Sequence, residues 1–294
     1  MTKIAYDPCY YCDGYGVDTR EKARDIAESL ITRPIAGIEL VTPAPATVED
    51  FEIAHDPRYA RAIATGRPDD WADRNGLGEW SRDLADSVLW STGGVITTTR
   101  TALESGENAG SLSSGLHHAR YSCGAGFCTV NGLVIGARKA LLQGAGRVLI
   151  VDYDVHCGGG TASLLRDDEP IEQIDVSGNS YDQYTSTKSS RLWMTDGDRY
   201  LDTIEESLDS VAAPTGIDLV IYNAGMDPHE DCTTGGVTGI TSDVLEKRET
   251  MLFSWAKSHA IPVAFVLAGG YSGRTMTRAQ LVDLHRLTLR AATL

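Results

Sequence analysis

The sequence predicts an α/β fold in which a mostly parallel β-sheet is covered by helices on both faces. Apolar runs of strand length alternate along the chain with longer stretches of helical periodicity. Such alternation favours parallel pairing, because each crossover helix returns the chain to the same edge of the sheet. The predicted strands are 148–152, 218–222 and 262–268, and the predicted helices are 84–105, 131–143, 199–212 and 242–259.

The size of the chain favours one domain over residues 1–294. With 294 residues, of which 42% are hydrophobic, the chain can bury a large core, and α/β domains of this length are common. No repeat or long linker divides it, although residues 66–82 form a long polar loop with several aromatic residues. Long loops in compact domains are often functional, so this one is a candidate part of a binding site.

Charge limits the partners that the chain is expected to have. The formal net charge of -15 would repel phosphate, so we expect neither nucleic acid nor an anionic membrane as a partner. The sequence begins without an apolar stretch of signal-peptide length and has no window long enough to span a membrane, which favours a cytoplasmic location. Six cysteines are too few for a disulfide scaffold in a chain of this size. The oligomeric state is left open.

The strongest signal of function lies at the end of the strand 148–152. There the apolar run continues into Asp152, Asp154 and His156, two residues apart from one another. If the strand stays extended, all three side chains lie on one face. Two carboxylates and an imidazole repel or destabilise one another unless a cation or hydrogen-bond donors neutralise them. The segment therefore predicts a metal site.

A further acidic residue follows the end of another predicted strand. Ligands of parallel sheets bind outside the carboxyl ends of the strands, and Asp227 follows the strand 218–222. Asp154, His156 and Asp227 together match the three protein ligands of a catalytic zinc site, with a position left for water and substrate. The alternative is a solvated strand end with a capping aspartate.

Two further segments carry groups that suit acid–base chemistry. His117 and His118 lie in a loop rich in serine and glycine, where they are either surface residues or a general base with an electrostatic partner. Tyr271 follows Gly269 and Gly270, which let the backbone approach a ligand and present the phenol as a donor to a developing oxyanion. A buried core tyrosine is the alternative.

These segments together resemble zinc-dependent histone deacetylases and acetylpolyamine amidohydrolases, which have the arginase/deacetylase fold. The resemblance runs over nearly the whole chain, and its motifs occur in the order of the family. The matching segments are His55-Asp-Pro-Arg-Tyr59, Gly76-Leu-Gly78, Ser91-Thr-Gly-Gly94, Gly115-Leu-His-His-Ala119, Gly126-Phe-Cys128 with Asn131, the run from Asp152 to Gly160, Gly225-Met-Asp227 and Gly269-Gly-Tyr271.

The resemblance implies a role for each matched residue. It implies that Zn2+ is bound by Asp154, His156 and Asp227. The other implied roles are these: His118 is the general base and acid, His117 its electrostatic partner, Asp152 a hydrogen-bond partner of His117, Tyr271 the donor to the scissile carbonyl, and Gly126 and Phe127 part of a narrow acyl-lysine tunnel. Asp152 and Ser177 would also bind a structural monovalent cation, expected to be K+.

The chain departs from the family pattern where an acid normally orients the second histidine. The family has His-Gly-Asp-Gly or His-Gly-Asn-Gly, whereas this chain has Cys157-Gly-Gly-Gly160, with Gly159 in the place of the acid. Loss of such a partner commonly lowers activity about 10- to 100-fold. Three interpretations stay open: a weakened hydrolase, a site in which another acid or a water supports His118, and a binding protein without turnover.

The expected entrance of the site also departs from the family. Thr234 stands where the tunnel usually has a large apolar residue, and Glu79 in the long loop is a candidate contact to a substrate amide or ammonium. The amino-terminal segment lacks the family's His-Pro-Glu-Arg and has Val17-Asp-Thr-Arg20 instead. Substrate preference is therefore the least transferable property.

We expect a Zn2+-dependent hydrolase that cleaves a linear N-acyl amide of a small molecule, a polyamine, a short peptide or an acyl-lysine. Metal-activated water with a histidine base would give a carboxylate and a free amine. One alternative is a zinc-containing acyl-amine binder without catalysis. The other is a dinuclear manganese ureohydrolase, which needs additional bridging ligands that the segment from Cys157 to Gly160 does not supply.

Overall fold

A computed structural model describes residues 1–11 and 18–294, with the side chains of 18–21 left out. Val17 of the divergent amino-terminal segment thus lies outside the described residues, as do the side chains of Asp18, Thr19 and Arg20. The strands are β1 (Thr2–Ala5), β2 (Ile38–Val41), β3 (Ala109–Ser111), β4 (Val148–Asp152), β5 (Ile171–Ser177), β6 (Ser190–Met194), β7 (Leu219–Ala224) and β8 (Val263–Leu267).

The α-helices of the described residues lie between these strands and after the last of them. They are α1 (Asp18–Thr32), α2 (Val48–Glu52), α3 (Pro57–Thr65), α4 (Asp69–Ala72), α5 (Arg82–Ser105), α6 (Gly132–Leu142), α7 (Gly159–Leu164), α8 (Tyr200–Asp209), α9 (Ser242–Ser258) and α10 (Arg278–Ala291). Short 3-10 turns occur at Pro8–Tyr10 and Pro214–Gly216.

The eight strands within the described ranges form one sheet in the order β2-β1-β3-β8-β7-β4-β5-β6. Every neighbouring pair is parallel. The prediction of a mostly parallel α/β sheet is therefore confirmed, and all predicted strands and helices are present with ends shifted by a few residues. The predicted loop 66–82 is irregular except for the single turn of α4 and its last residue, Arg82, which begins α5.

Helices cover both faces of the sheet. Along β4, Leu149 and Val151 face one hydrophobic cluster, while Val148 and Ile150 face another. Buried residues of α1, α8, α9 and α10 belong to the first cluster, and those of α3, α5 and α6 belong to the second. Since both faces are covered, the polar ends of the central strands are where a site can form. No helix in the described part of the chain is both long and apolar enough to cross a bilayer.

The sheet order explains why distant segments meet. β8, β7 and β4 are consecutive neighbours and run in the same direction, so their carboxyl ends lie side by side. In the register of the sheet, Asp152 at the end of β4 is beside Asn223 of β7, and Ala224 is beside Leu267 of β8. The segments that follow these three strands therefore share one edge.

A buried histidine fixes the loop that precedes α6. His55 has no exposed surface, its Nδ1 lies 2.9 Å from the carbonyl oxygen of Arg120, and its Nε2 accepts the backbone N–H of Asn131 at 2.8 Å. The Asn131 side chain in turn donates to the carbonyl oxygens of His117 and Ala119 and caps α6 through its Oδ1. Because Nε2 must accept, the imidazole is neutral with its proton on Nδ1.

We predict that His55 makes the fold sensitive to acid. Burial lowers the pKa of His55 to about 4, whereas an unfolded histidine binds a proton below about pH 6.5. Between these values the unfolded state binds the extra proton, so stability is lost as the pH falls through this window. The histidine alone should make the free energy of unfolding about 2 kcal/mol lower at pH 5 than at pH 8.

Urea unfolding at both pH values measures this effect. His55→Gln should reduce the difference between pH 8 and pH 5 by about 2 kcal/mol relative to the wild type. His259→Gln, at the carboxyl end of α9, is the matched control and should leave the wild-type difference in place. Equal pH dependence in His55→Gln and the wild type would contradict the assignment.

Candidate active site

The predicted metal ligands meet at the ends of β4 and β7. Asp154, His156 and Asp227 place their ligand atoms within 4.8 Å of one another. Both carboxylates are buried, and the imidazole is half-buried. β4 ends at Asp152, as predicted, and the chain bends immediately afterwards, so the condition under which Asp152, Asp154 and His156 would share one strand face is not met. The bend separates Asp152 from the other two side chains and directs it to a different partner.

Backbone donors orient the two carboxylates. The N–H of Gly269 donates to Asp154 Oδ2 at 2.8 Å, and the N–H of Val155 donates to Asp227 Oδ1 at 3.1 Å. Each carboxylate therefore has one oxygen fixed by the backbone of a neighbouring segment. The free oxygen of Asp227, Oδ2, lies 3.2 Å from His156 Nδ1 but makes no well-aligned hydrogen bond.

The electrostatics of the three groups fit a bound cation. Burial and the charge of Asp154 raise the pKa of Asp227 to about 6. Burial by itself lowers the pKa of His156, but the contacts with Asp154 and Asp227 outweigh it and raise this pKa to about 10. A proton on His156 thus neutralises the carboxylates, and a divalent cation would replace it.

Space beside the carboxylates is kept by a glycine. A Cβ added to Gly269 would lie 2.0 Å from Asp227 Oδ2 and 2.4 Å from Asp154 Oδ2. No other residue fits there without displacing the two carboxylates. Two carboxylates and one imidazole are also ligands that zinc accepts, so the residues present fit the metal that the family resemblance implies.

The adjacent histidines lie beside the ligand cluster and are both buried. Their ring centroids are 3.9 Å apart, and His117 Nδ1 lies 2.8 Å from Asp152 Oδ2. Asn223 donates to the other oxygen of Asp152 at 2.8 Å. Burial opposes protonation of His117, but the charges of Asp152 and Asp154 prevail and raise its pKa to about 10. His117 is therefore cationic at neutral pH.

His118 has the opposite tendency. Burial and the charge of His117 lower the pKa of His118 to about 4, although a contact with Asp182 acts against them. His118 Nδ1 lies 2.9 Å from Asp182 Oδ2. Thus an acid does contact the second histidine, and it comes from the loop after β5 instead of from position 159. Of the three interpretations of Gly159, this contact favours the one in which another acid supports His118.

Sequence reasoning missed Asp182, although a signal existed. β5 is the neighbour of β4 on the side away from β7, so acids that follow β5 also lie near the carboxyl edge of the sheet. The rule of strand ends, applied to this strand, would have made Asp182 a candidate. Asp182 was overlooked because it lies in a polar loop and belongs to no sequence motif.

A cavity of about 550 Å3 opens over these groups. Six predicted site residues contribute to its lining, namely His118, Gly126, Phe127, His156, Thr234 and Tyr271. The other lining residues are Gly76, Asn179 and Tyr181. The predicted base, His118, and one predicted metal ligand, His156, therefore face the cavity. Glu79, three residues after Gly76, is exposed, so its contact with a substrate stays a prediction.

Two features shape the cavity wall beside His118. Gly126 adopts φ 50°, and a Cβ added to it would lie 2.4 Å from His118 Cδ2, so the close approach requires glycine. Tyr181, which sequence reasoning also missed, packs its ring edge against His118 with centroids 5.0 Å apart. Tyr181 and Phe127 remain 48% and 44% exposed, which leaves aromatic surface for a substrate.

The loop after β8 presents Tyr271 to the same cavity. Gly270 adopts φ 148°, and a Cβ there would lie 2.8 Å from the buried His285. Cys232 Sγ accepts the backbone N–H of Tyr271 at 3.3 Å, and the buried Lys22 donates to the carbonyl oxygen of Ala268. Burial and the charges of Asp227 and Asp154 raise the pKa of Tyr271 well above its ordinary value. The phenol therefore keeps its proton and can donate it in a hydrogen bond.

The residues predicted to hold a monovalent cation lie on neighbouring strands. Asp152 ends β4 and Ser177 ends β5, and Ser177 donates to Asp175 Oδ1 at 2.7 Å. Asp175, which the sequence did not single out, is paired with Asp152 in the sheet register and is fully buried. Burial and the charge of Asp152 raise the pKa of Asp175 well above its ordinary value. Excess negative charge here suits a cation.

Comparisons with known proteins agree with this geometry. The chain is 34% identical to an uncharacterized protein of Picosynechococcus sp. over 247 residues, which cover 82% of this chain and 81% of that protein. It is 26% identical to a protein of Archaeoglobus fulgidus named as a probable deacetylase, over 80% of this chain and 70% of that protein.

Two solved structures share the fold. The HD domain of HDA15 superposes with a TM-score of 0.78 and 18% identity over 99% of this chain and 89% of that one. An acetylpolyamine aminohydrolase from Burkholderia pseudomallei has a TM-score of 0.78 and 16% identity over 99% of this chain and 98% of that one. The fold is thus the arginase/deacetylase fold. Residues 17–286 match the family described as the histone deacetylase domain, and the chain therefore belongs to the histone deacetylase family.

Proposed function

We propose that the chain is a Zn2+-dependent deacylase that hydrolyses linear N-acyl amides. Membership of the histone deacetylase family makes it a hydrolase that acts on amide bonds. The observation that carries the finer proposal is the meeting of a neutral histidine, a three-ligand cluster and a protonated phenol at one cavity. His118, His156 and Tyr271 all line it.

Asp154, His156 and Asp227 would hold the metal. When bound there, zinc polarises an amide carbonyl and makes water a better nucleophile near neutral pH. The open wall at Gly269 and the poorly satisfied Oδ2 of Asp227 support this assignment.

The side chains of the cavity perform the proton transfers. His118 is neutral at pH 7 and takes a proton from the attacking water as the water oxygen bonds to the carbonyl carbon. Tyr271 donates a hydrogen bond to the carbonyl oxygen as negative charge develops on it, and cationic His117 stabilises that charge from the side. When the C–N bond breaks, His118 returns its proton to the nitrogen, and the products are a carboxylate and an amine.

The wall of the cavity favours an extended apolar stem beside a polar group. Phe127 and Tyr181 offer aromatic surface, Thr234 offers a hydroxyl, and the net charge of -15 attracts an amine-containing substrate. Polyamines, small N-acyl amines and acyl-lysine in a short peptide all meet these requirements. The similarity in fold to an acetylpolyamine aminohydrolase supports the same classes.

A catalytically silent binder is the second candidate function. It is the weaker one, because binding alone requires neither a neutral His118 with an acid at its Nδ1 nor a protonated Tyr271 at the cavity. We also propose a K+ ion between the ends of β4 and β5, supported by the buried pair Asp152 and Asp175 with Ser177. A cytoplasmic location remains a prediction from the sequence.

Metal analysis combined with a substrate panel tests the proposal. The purified protein should contain about one zinc per chain and should hydrolyse at least one member of a panel of acetylated lysine peptides, polyamines and amino sugars. A hydroxamate should inhibit that turnover. Two manganese ions per chain would instead indicate a ureohydrolase, and bound zinc without turnover of any amide would indicate the binder.

We predict that Gly269→Ala weakens metal binding. Its Cβ would collide with Asp154 and Asp227, so zinc affinity should fall about tenfold or more. Chelator competition measures the affinity, and Gly216→Ala is the matched control, because a Cβ at Gly216 approaches only the Arg147 guanidinium, at 4.0 Å. Unchanged affinity in Gly269→Ala would contradict the assigned site.

We predict that His118→Ala and Tyr271→Phe lower turnover without loss of zinc. Removal of the base should lower kcat about 10^2- to 10^4-fold, and removal of the phenol hydroxyl about 10^2-fold. Steady-state kinetics with zinc analysis measures both effects, and His259→Ala is the control for the histidine. Wild-type kcat in His118→Ala would show that another group is the base.

A further inference from the structure

We propose that Asp182 is the positioning residue for the base His118, and that Gly159 is glycine because Asp182 occupies the space beside it. This inference rests on the proposed deacylase function, in which His118 is the base. It explains how the chain can lack an acid at position 159 and still orient its second histidine. Three independent features of the described residues carry it.

The first feature is the set of contacts that Asp182 makes. Its Oδ2 lies 2.9 Å from His118 Nδ1 and accepts the backbone N–H of Gly160 at 3.0 Å. Its Oδ1 accepts from the guanidinium of Arg120. The side chain is only 9% exposed, so these three donors account for its polar environment. With Nδ1 donating to a carboxylate, the lone pair of His118 resides on Nε2, as a base requires.

The second feature is the fit between Gly159 and Asp182. A Cβ added to Gly159 would lie 2.2 Å from the carbonyl oxygen of Asp182 and 2.7 Å from its Oδ1. An acid at 159 and the present position of Asp182 therefore exclude each other. Gly159, which in the sequence looked like the loss of an acid, thus leaves the space that Asp182 occupies.

The third feature is the backbone that carries the acid. Asp182 adopts φ 58°, which is uncommon for residues other than glycine and is tolerated best by asparagine and aspartate. The loop is tied to the metal-ligand segment, because the N–H of Cys157 donates to the carbonyl oxygen of Tyr181 at 3.1 Å, and Asn179 pairs with His156. The conformation aims the carboxylate inward and holds it there.

Asp182→Asn should not support His118, because the amide offers one hydrogen-bond acceptor where the carboxylate offers two. His118 and Gly160 both donate toward one oxygen, and Arg120 donates toward the other. Asp182→Asn keeps the shape but must turn its NH2 group toward one of these donors. An NH2 group turned toward Arg120 would face a charged donor, so the favoured orientation turns it toward His118 and drives His118 into the tautomer with its lone pair on Nδ1.

The first test compares Asp182→Asn with the wild-type zinc enzyme on its best substrate from the panel. We expect kcat to fall about 10- to 100-fold while KM, zinc content and melting temperature stay the same. Asp168→Asn, an exposed acid paired with Arg166, is the matched control and should retain wild-type kcat. Wild-type kcat in Asp182→Asn, or a loss that is accompanied by loss of zinc or of fold, would overturn the proposal.

Chemical rescue adds a readout that a merely structural role would not produce. Asp182→Ala leaves a space beside His118 that formate can enter, so formate should raise its kcat severalfold, whereas chloride at equal ionic strength should not. Formate is preferred to acetate because acetate is a possible product. No increase with formate counts against the proposal.

A double-mutant cycle links Gly159 to the same carboxylate. Gly159→Ala should lower kcat strongly in the wild type and add little in the Asp182→Ala background, because both substitutions remove the same support. Independent, additive losses would show that Gly159 acts in another way.

A test without turnover separates failure of this inference from failure of the proposed function. In protein labelled with 15N-histidine and loaded with zinc, the His118 resonance, assigned with His118→Ala, should report a proton on Nδ1 in the wild type. Asp182→Asn should change this pattern. If the wild type hydrolyses no amide but has this tautomer, the deacylase proposal fails alone. If the tautomer is the same with and without the acid, the positioning role fails.

Discussion

The site is governed by the need to neutralise buried negative charge at one edge of the sheet. Asp152, Asp154 and Asp227 are almost completely buried, and they lie at or just after the ends of the neighbouring strands β4 and β7. Carboxylates in such a place raise one another's pKa or acquire positive partners. Cationic His117 offsets the charge of Asp152. The lack of a side chain at Gly269 leaves room in which a metal would offset the charges of Asp154 and Asp227. The separate behaviour of the two adjacent histidines follows from this distribution of charge.

The sheet makes this concentration of charge possible. Parallel strands have all their carboxyl ends at the same edge, and the order β8-β7-β4-β5 puts four consecutive strands there. Helices cover both faces with apolar clusters, so polar groups are confined to the ends of the strands. The loops bring the chemistry, while the sheet determines which loops are neighbours.

The sequence was most informative where short-range periodicity or motif order governs structure. The limits of β4 and the approximate limits of α6 and α9 follow from apolar patterning, and the ligand candidates follow from the rule of strand ends. The single face that an extended strand would give to Asp152, Asp154 and His156 is not formed, because the chain bends after Asp152. The rule of strand ends could have made Asp182 a candidate, but not a partner of Gly159, since the two residues belong to different loops and meet only through the fold.

The loop after β5 carries two neighbouring side chains with different tasks. Tyr181 forms part of the cavity wall, and Asp182 contacts the buried face of the second histidine. Because one short stretch of backbone carries both, a ligand that displaces the aromatic ring would also displace the carboxylate. Under the proposed deacylase function, selectivity would then arise in the rate of bond cleavage as much as in binding affinity, and a poorly fitting substrate would bind but react slowly.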